Sequence, residues 1–407
     1  MYGPKIIIIV AIKPKVIEMG EERKLSRREF LRVAVGGAAG LLVGGAAGYF
    51  TGSTLTRRTL EKELEELRGR AGLPEEKVIH IYNWCEYIHP YVVELFKEEF
   101  EMEEVVYDIY ESNDELRAAL EAGKTSYYDV IFPSGTYVHE LAQKGWLMEL
   151  DFKKIPNFKF VSDKFKNPPW DPENKYSVPY MWGTTGIGWN KAKIEEGVTD
   201  LNALFEEPYL TKYQKKITML NEVNDTFGAA FKYLGYNWYD EPGLPHIEEA
   251  LELLKQQKPY ILKYASATEF IPGLADETIW IALAWSGDVY VARDENENVV
   301  YTVPESGCNL WVDCMCIPVD APHPDAAHAF INFMLRPEIM ALNTEVLWYA
   351  NPELEASQNL VSEEIAGDPG IYPPEEIIER CDLSRPFTPE EMEILTEAWA
   401  ELMAAPG

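Results

Sequence analysis

From Val78 onward, short apolar runs alternate with stretches in which apolar residues recur every three or four positions. Val78 to Tyr82 reads as a strand, Tyr91 to Glu101 as an amphipathic helix and Val105 to Ile109 as the next strand. Ser112-Asn113-Asp114-Glu115 has the form of a capping box and predicts a helix through Ala122. Asp129 to Phe132 predicts a short strand, and Thr136 to Lys144 a helix. This alternation predicts an α/β domain with a largely parallel sheet. Ligands of such sheets sit beyond the carboxyl ends of the strands. Trp84-Cys85-Glu86-Tyr87 follows the first predicted strand and Pro133-Ser134-Gly135-Thr136 the third, so both fall on one rim.

Tyr176 to Asn190 is extended and interrupted by Gly183, Gly186 and Gly188, a pattern that suits a strand crossing between lobes. A second α/β lobe follows, with a strand at Lys216 to Leu220, a helix at Glu222 to Leu234 closed by Gly235, and a strand at Ile279 to Trp285. Leu310 to Pro318 is extended again and crosses back. Asp325 to Thr344 reads as helix with a break at Arg336-Pro337, and Pro389 to Ala404 as a final helix. The expected lobes are 78–186 with 311–354, and 187–310 with 355–407. A chain of 407 residues is long for one core, which also favours two.

The stretch before Val78 is of a different kind. Ser26-Arg27-Arg28-Glu29-Phe30-Leu31-Arg32 precedes an uncharged run from Val33 to Phe50, resembling a Tat export signal. The run shows no clean Ala-x-Ala site at its end, so retention as an anchor is expected to be open to it. Met19 begins a natural n-region and is the expected start. Thr54 to Arg70 carries Leu60, Leu64 and Leu67 among charges and predicts a helical stalk. Residues 1–53 are thus read as extension and signal, and 54–77 as stalk or linker.

Charge narrows the function. The 37 basic and 68 acidic residues give a net charge of −31, which excludes a general nucleic-acid binder and favours cationic ligands. The five cysteines contain no Cys-x-x-Cys and form no ligand-spaced cluster with the six histidines. No metal site or other cofactor is expected. Export permits disulfides, but the pairing is not legible.

Tryptophan and carboxylate recur together. Trp84 and Glu86 flank Cys85, with Tyr87 next. Trp285-Ser286-Gly287-Asp288 ends a predicted strand. Trp311 and Asp313 share one face of another by alternation. Glu222 and Asp225 share one face at the start of a helix, where the macrodipole favours their ionised form, although acidic residues also sit there merely as caps. A salt bridge is the structural alternative for Asp313, but basic residues are scarce nearby. Tyr349 adds one more aromatic. Indole faces attract cations and carboxylates pair with them. A ligand with two or more protonated amines fits best. Charge-assisted hydrogen bonds of roughly 1.5–3 kcal/mol and cation–π contacts of about 0.5–2 kcal/mol together reach micromolar binding.

Several motifs in order resemble the substrate-binding proteins of spermidine/putrescine ABC transporters. These are Tyr82-Asn83-Trp84-x-Glu86-Tyr87, Tyr110-Glu111-Ser112-Asn113, Tyr128-Asp129-Val130-Ile131-x-Pro133-Ser134, Tyr176 to Gly188, Trp311-x-Asp313 and Ile331 to Pro337. The resemblance implies a type II periplasmic-binding-protein fold, with a polyamine held between lobes whose strand crossovers form the hinge. It implies Trp84, Glu86, Tyr87, Ser134, Trp285, Trp311, Asp313 and Tyr349 in the site, with Glu222 and Asp225 reversing the family's Asp-x-x-Glu order. Asp288 matches the putrescine-type branch. Cys85 stands at the ligand's edge where a hydroxyl is usual, and Thr136 where the spermidine type has tyrosine, with Tyr137 adjacent. The expected partners are a polyamine and ABC permease subunits, and the expected location is the periplasm or outer membrane face. Alternatives are a receptor for another organic cation or for a sensor, and a secreted enzyme using Glu222, Asp225 and Asp313 on a saccharide.

Overall fold

The computed structural model describes residues 74–85, 87–237, 244–353, 359–383 and 385–407. The signal, the apolar run, the stalk and Glu86 lie outside them.

The chain begins with β1 (Val78–Trp84), α1 (Pro90–Glu99), β2 (Glu104–Tyr110), α2 (Asn113–Glu121), β3 (Val130–Ile131) and α3 (Gly135–Gln143). The three strands form a parallel sheet in the order β2-β1-β3. Pro90 starts α1 where a missing N–H costs nothing. The capping box before α2 forms by half. Ser112 accepts the Glu115 N–H, but the Glu115 carboxylate reaches one residue further back, to the Glu111 N–H at 2.9 Å. Val92 and Phe96 of α1 are buried, with Phe96 packed on Phe330 and Phe333.

β4 (Val178–Asn190) is the axis of the molecule. After it come β5 (Ile217–Leu220), α4 (Val223–Tyr233), α5 (Ile247–Gln257), β6 (Lys263–Ala265), α6 (Ala267–Ala275), β7 (Ile281–Trp285), α7 (Ser286–Glu295), β8 (Val299–Thr302) and β9 (Asn309–Met315). Next are α8 (Pro324–Met334), α9 (Pro337–Leu347), β10 (Asp382–Leu383) and α10 (Pro389–Ala404). The second sheet runs β10-β9-β4-β7-β5-β6, with β8 also on β4. β4 is antiparallel to β9 along its first part and to β7 and β8 along its second. It changes partners at Thr185, which faces Asn309 on one side and Trp285 on the other. Its glycines have a packing reason. A Cβ on Gly183 would lie 2.6 Å from the Trp311 ring.

Two apolar cores lie on either side of this change. The first holds Ile79, Phe96, Val130, Trp182, Val312 and Phe330, the second Ile187, Met219, Phe227, Leu254, Phe270 and Leu283. β4 passes from one to the other between Trp182 and Ile187, and the chain returns between Val299 and Leu310. The tail is not confined to the second lobe. Val361, Ile365 and Ile371 pack into the first core, while Leu395, Ala398 and Leu402 pack into the second. The break at Arg336-Pro337 separates α8 from α9, and the Arg336 guanidinium grips Glu99 of α1 through two bonds of 2.8 and 2.6 Å.

Candidate functional site

The carboxyl ends of β1, β3, β5 and β7 open on one cavity of about 180 Å³ between the two cores. It brings together Trp84, Cys85, Tyr87, Ser134, Glu222, Asp225, Trp285, Asp288, Trp311, Asp313 and Tyr349. Glu86 is the one sequence-derived candidate outside the described residues. Among the described residues of the lining there is no Lys, Arg or His.

Asp313 comes from β9 and is buried. Ser134 is the N-cap residue of α3, yet its side chain makes no capping bond. Its hydroxyl donates to Asp313 at 2.7 Å instead, and accepts from Asn113 Nδ2 at 3.0 Å. The Tyr87 hydroxyl makes no hydrogen bond among the described residues, but it lies close enough to Asp313 to favour the ionised carboxylate. Burial pushes the Asp313 carboxyl up to about 7 against the opposing pull of these two hydroxyls. Its side-chain hydrogen bond comes from the Ser134 hydroxyl, and among the described residues no salt bridge to it forms.

Asp225 lies in the first turn of α4, above the point where β4 changes partners. Thr185 Oγ1 reaches its Oδ1 at 2.5 Å, Asn309 Nδ2 the same oxygen at 2.8 Å, and Trp285 Nε1 its Oδ2 at 3.2 Å. These donors stand in one cross-strand row, one each from β4, β9 and β7. The burial of Asp225 raises its pKa, and the three donors oppose the rise. A carboxylate offers about four acceptor positions, so an outside donor still finds one. Glu222 is the N-cap of α4 but makes no side-chain cap. Desolvation, with Asp225 and Asp114 nearby, pushes it up to about 8.

Asp288 sits in the first turn of α7 and accepts the Tyr349 hydroxyl at 3.0 Å. Tyr349 reaches it because Trp348 takes a left-handed φ of 57° at the end of α9 and turns the chain inward. The Tyr349 ring meets Tyr87 and Trp311 edge-on, with centroids 5.5 and 5.2 Å apart. Trp84 is fixed by its N–H to the Phe132 carbonyl at 2.8 Å, and its ring leans on Tyr110 at 4.8 Å.

Sequence reasoning missed Asn309, Thr185 and Asn113 as supports, and the start of α6, which lends Ala267, Thr268 and Ile271 to the wall. Asn309 had a signal, since alternation puts it on the face of Trp311 and Asp313. Thr136 and Tyr137 both line the cavity, with the Tyr137 hydroxyl 3.3 Å from Asp114.

An α/β chain with two cores, strand crossovers and a cavity between them defines a two-lobed protein that encloses a small solute. The chain belongs to the bacterial extracellular solute-binding proteins, which it matches over residues 93–373. It is 34% identical over 366 residues to the putrescine-binding periplasmic protein SpuD of Pseudomonas aeruginosa, covering 86% of this chain and 98% of that one. It is 32% identical over 343 residues to the putrescine-binding periplasmic protein PotF of Escherichia coli, covering 81% and 92%. The spermidine/putrescine ABC transporter substrate-binding protein PotD of Streptococcus pneumoniae has a similar structure, with a TM-score of 0.71, 29% identity and coverage of 81% and 99%. These relatives share the type II periplasmic-binding-protein fold and are binding proteins, not enzymes. The saccharide-hydrolase alternative is thereby set aside.

Proposed function

We propose that this protein captures a polyamine of the putrescine/spermidine class between its lobes and delivers it to an ABC permease. The observation that carries the reading is a cavity holding Glu222, Asp225, Asp288 and Asp313 with no basic residue in its described lining. Burying the carboxylates of Asp225 and Asp313 in an acidic cavity is costly, and a ligand that brings its own positive charges relieves that cost. Trp84, Trp285, Trp311, Tyr87 and Tyr349 supply apolar walls for an alkyl chain and ring faces for ammonium groups. Cys85 borders the cavity, and Glu86, its neighbour in sequence, is a further ligand carboxylate in this reading. Putrescine and spermidine, the ligands of the relatives, have this chemistry.

Export fits the same picture. Ser26 to Arg32 would direct the folded chain through a Tat-type route, and Val33 to Phe50 would tether it beside its permease.

Calorimetry with putrescine, cadaverine, spermidine and spermine tests the reading. Micromolar binding of at least one is expected. Absence of heat and of any thermal shift with all of them at millimolar concentration sinks it.

A further inference from the structure

The described thiols differ sharply in their surroundings. Cys314 and Cys316 are buried in the first core, and Cys85 borders the cavity. Cys308 and Cys381 face one another with Sγ atoms 3.6 Å apart, although 73 positions separate them along the chain. Cys308 immediately precedes β9 and Cys381 immediately precedes β10.

The approach is set by backbone. β10 runs parallel to β9 with Asp382 opposite Asn309, and the Asp382 N–H donates to the Cys308 carbonyl at 2.8 Å. Cys381 and Cys308 are therefore the next pair in this register. Paired strands lie about 4.8 Å apart, within the roughly 4.4–6.8 Å Cα separation that a disulfide spans. One residue earlier, Gly307 has a φ of 92°, and a Cβ there would lie 2.1 Å from the Arg380 carbonyl oxygen. The two chains touch at this point with no side chain between them. Lys232 pairs with Asp382 at 2.7 Å and pins the same corner from α4.

We infer that Cys308 and Cys381 are a disulfide-forming pair that staples the tail to the start of β9. In the cell this requires the export assigned under the proposed function, because a reducing cytoplasm keeps thiols free. The chemistry itself does not depend on the ligand. Cys381 is the attacking thiol. It is only partly buried, and the hydrogen bond from Cys308 together with the charge of Lys232 lowers its pKa. Its thiolate attacks a sulfur of an oxidant disulfide, such as oxidised glutathione, and expels one oxidant thiolate. Cys308 then loses its proton and attacks Cys381 Sγ in the mixed disulfide, expelling the second. Two protein thiols become one disulfide, and one oxidant disulfide becomes two thiols. The staple sits midway along a tail that packs on the first core before Cys381 and on the second core after it.

The test treats the purified full chain with oxidised glutathione under native conditions, then denatures and alkylates it. The expected product carries one Cys308–Cys381 cross-linked peptide, lighter by two hydrogens, with Cys85, Cys314 and Cys316 alkylated. Reductant should lower its melting temperature by several degrees. The Cys308→Ser, Cys381→Ser double variant should melt at the reduced temperature whether or not reductant is present. Alkylation of all five thiols, a bridge between other residues, or a stable glutathione adduct on Cys381 alone overturns the inference. A bridged protein that binds no polyamine overturns the functional reading and leaves the staple standing.

Discussion

Asp313 and Asp225 are both buried acids in one cavity, yet their surroundings set them different tasks. Asp313 is held by the Ser134 hydroxyl, which can turn to accept as readily as to donate. Asp313→Asn should therefore leave the melting temperature of the empty protein nearly unchanged. Polyamine binding should fall roughly tenfold or more, the loss of one charge-assisted hydrogen bond. Asp225 faces the Trp285 indole N–H, which cannot accept, and the Asn309 amide, which accepts only if it flips. Asp225→Asn turns an amide against them and strands a buried donor, at about 1–3 kcal/mol. Its empty form should melt several degrees lower. Calorimetry and melting curves on the two variants separate the roles, and an Asp313→Asn protein that unfolds without ligand would make Asp313 structural. From sequence, the two acids looked alike. Their difference lies in Ser134, Thr185 and Asn309, which come from distant parts of the chain.

At the scale of elements, the sequence was most legible where periodicity was clean. The helices at Pro90–Glu99 and Pro389–Ala404 and the strand at Glu104–Tyr110 lie within a residue or two of their predicted bounds. α6 and α7 were not read, and the reasons are local. Pro272 and Gly273 interrupt α6, while α7 opens on Ser286-Gly287 and ends in charge. Gly287 belongs there because the Tyr349 ring and the Leu347 carbonyl crowd its Cα, each within 2.6 Å of where a Cβ would stand. Gly287→Ala should displace Tyr349 from Asp288. We expect a lower melting temperature, from overpacking of about 1–3 kcal/mol, together with weaker polyamine binding. Unchanged affinity would show that Tyr349 has no part in the site.

For the whole molecule, burial of acids links ligand, proton and stability. Glu222 and Asp313 are pushed up to about 8 and about 7, against about 4 in an unfolded chain. Between these values the empty folded protein holds protons that the unfolded chain has released. Stability of the empty protein therefore falls as pH rises from about 4 to about 8 and levels off beyond. Binding runs the other way. Ammonium groups require ionised carboxylates, so affinity should rise through the same window, by up to about tenfold per pH unit for each carboxylate that must ionise. Melting curves of the empty protein and titrations at pH 5.5, 6.5, 7.5 and 8.5 check both signs. Equal affinity at the extremes would mean that neither acid changes charge on binding. Composition foretold an appetite for cations. It did not foretell this proton linkage, which depends on burial that only the folded cavity creates.

The row formed by Thr185, Asn309 and Trp285 has a consequence for quality control. A slip of β4 by one residue against β9 or β7 would turn its side chains to the opposite face. The three donors would then no longer converge on Asp225. A misthreaded chain could reach a similar shape and still lack the cation site proposed above. Retention of ligand is thus a certificate of correct strand alignment, written into the molecule by a single carboxylate.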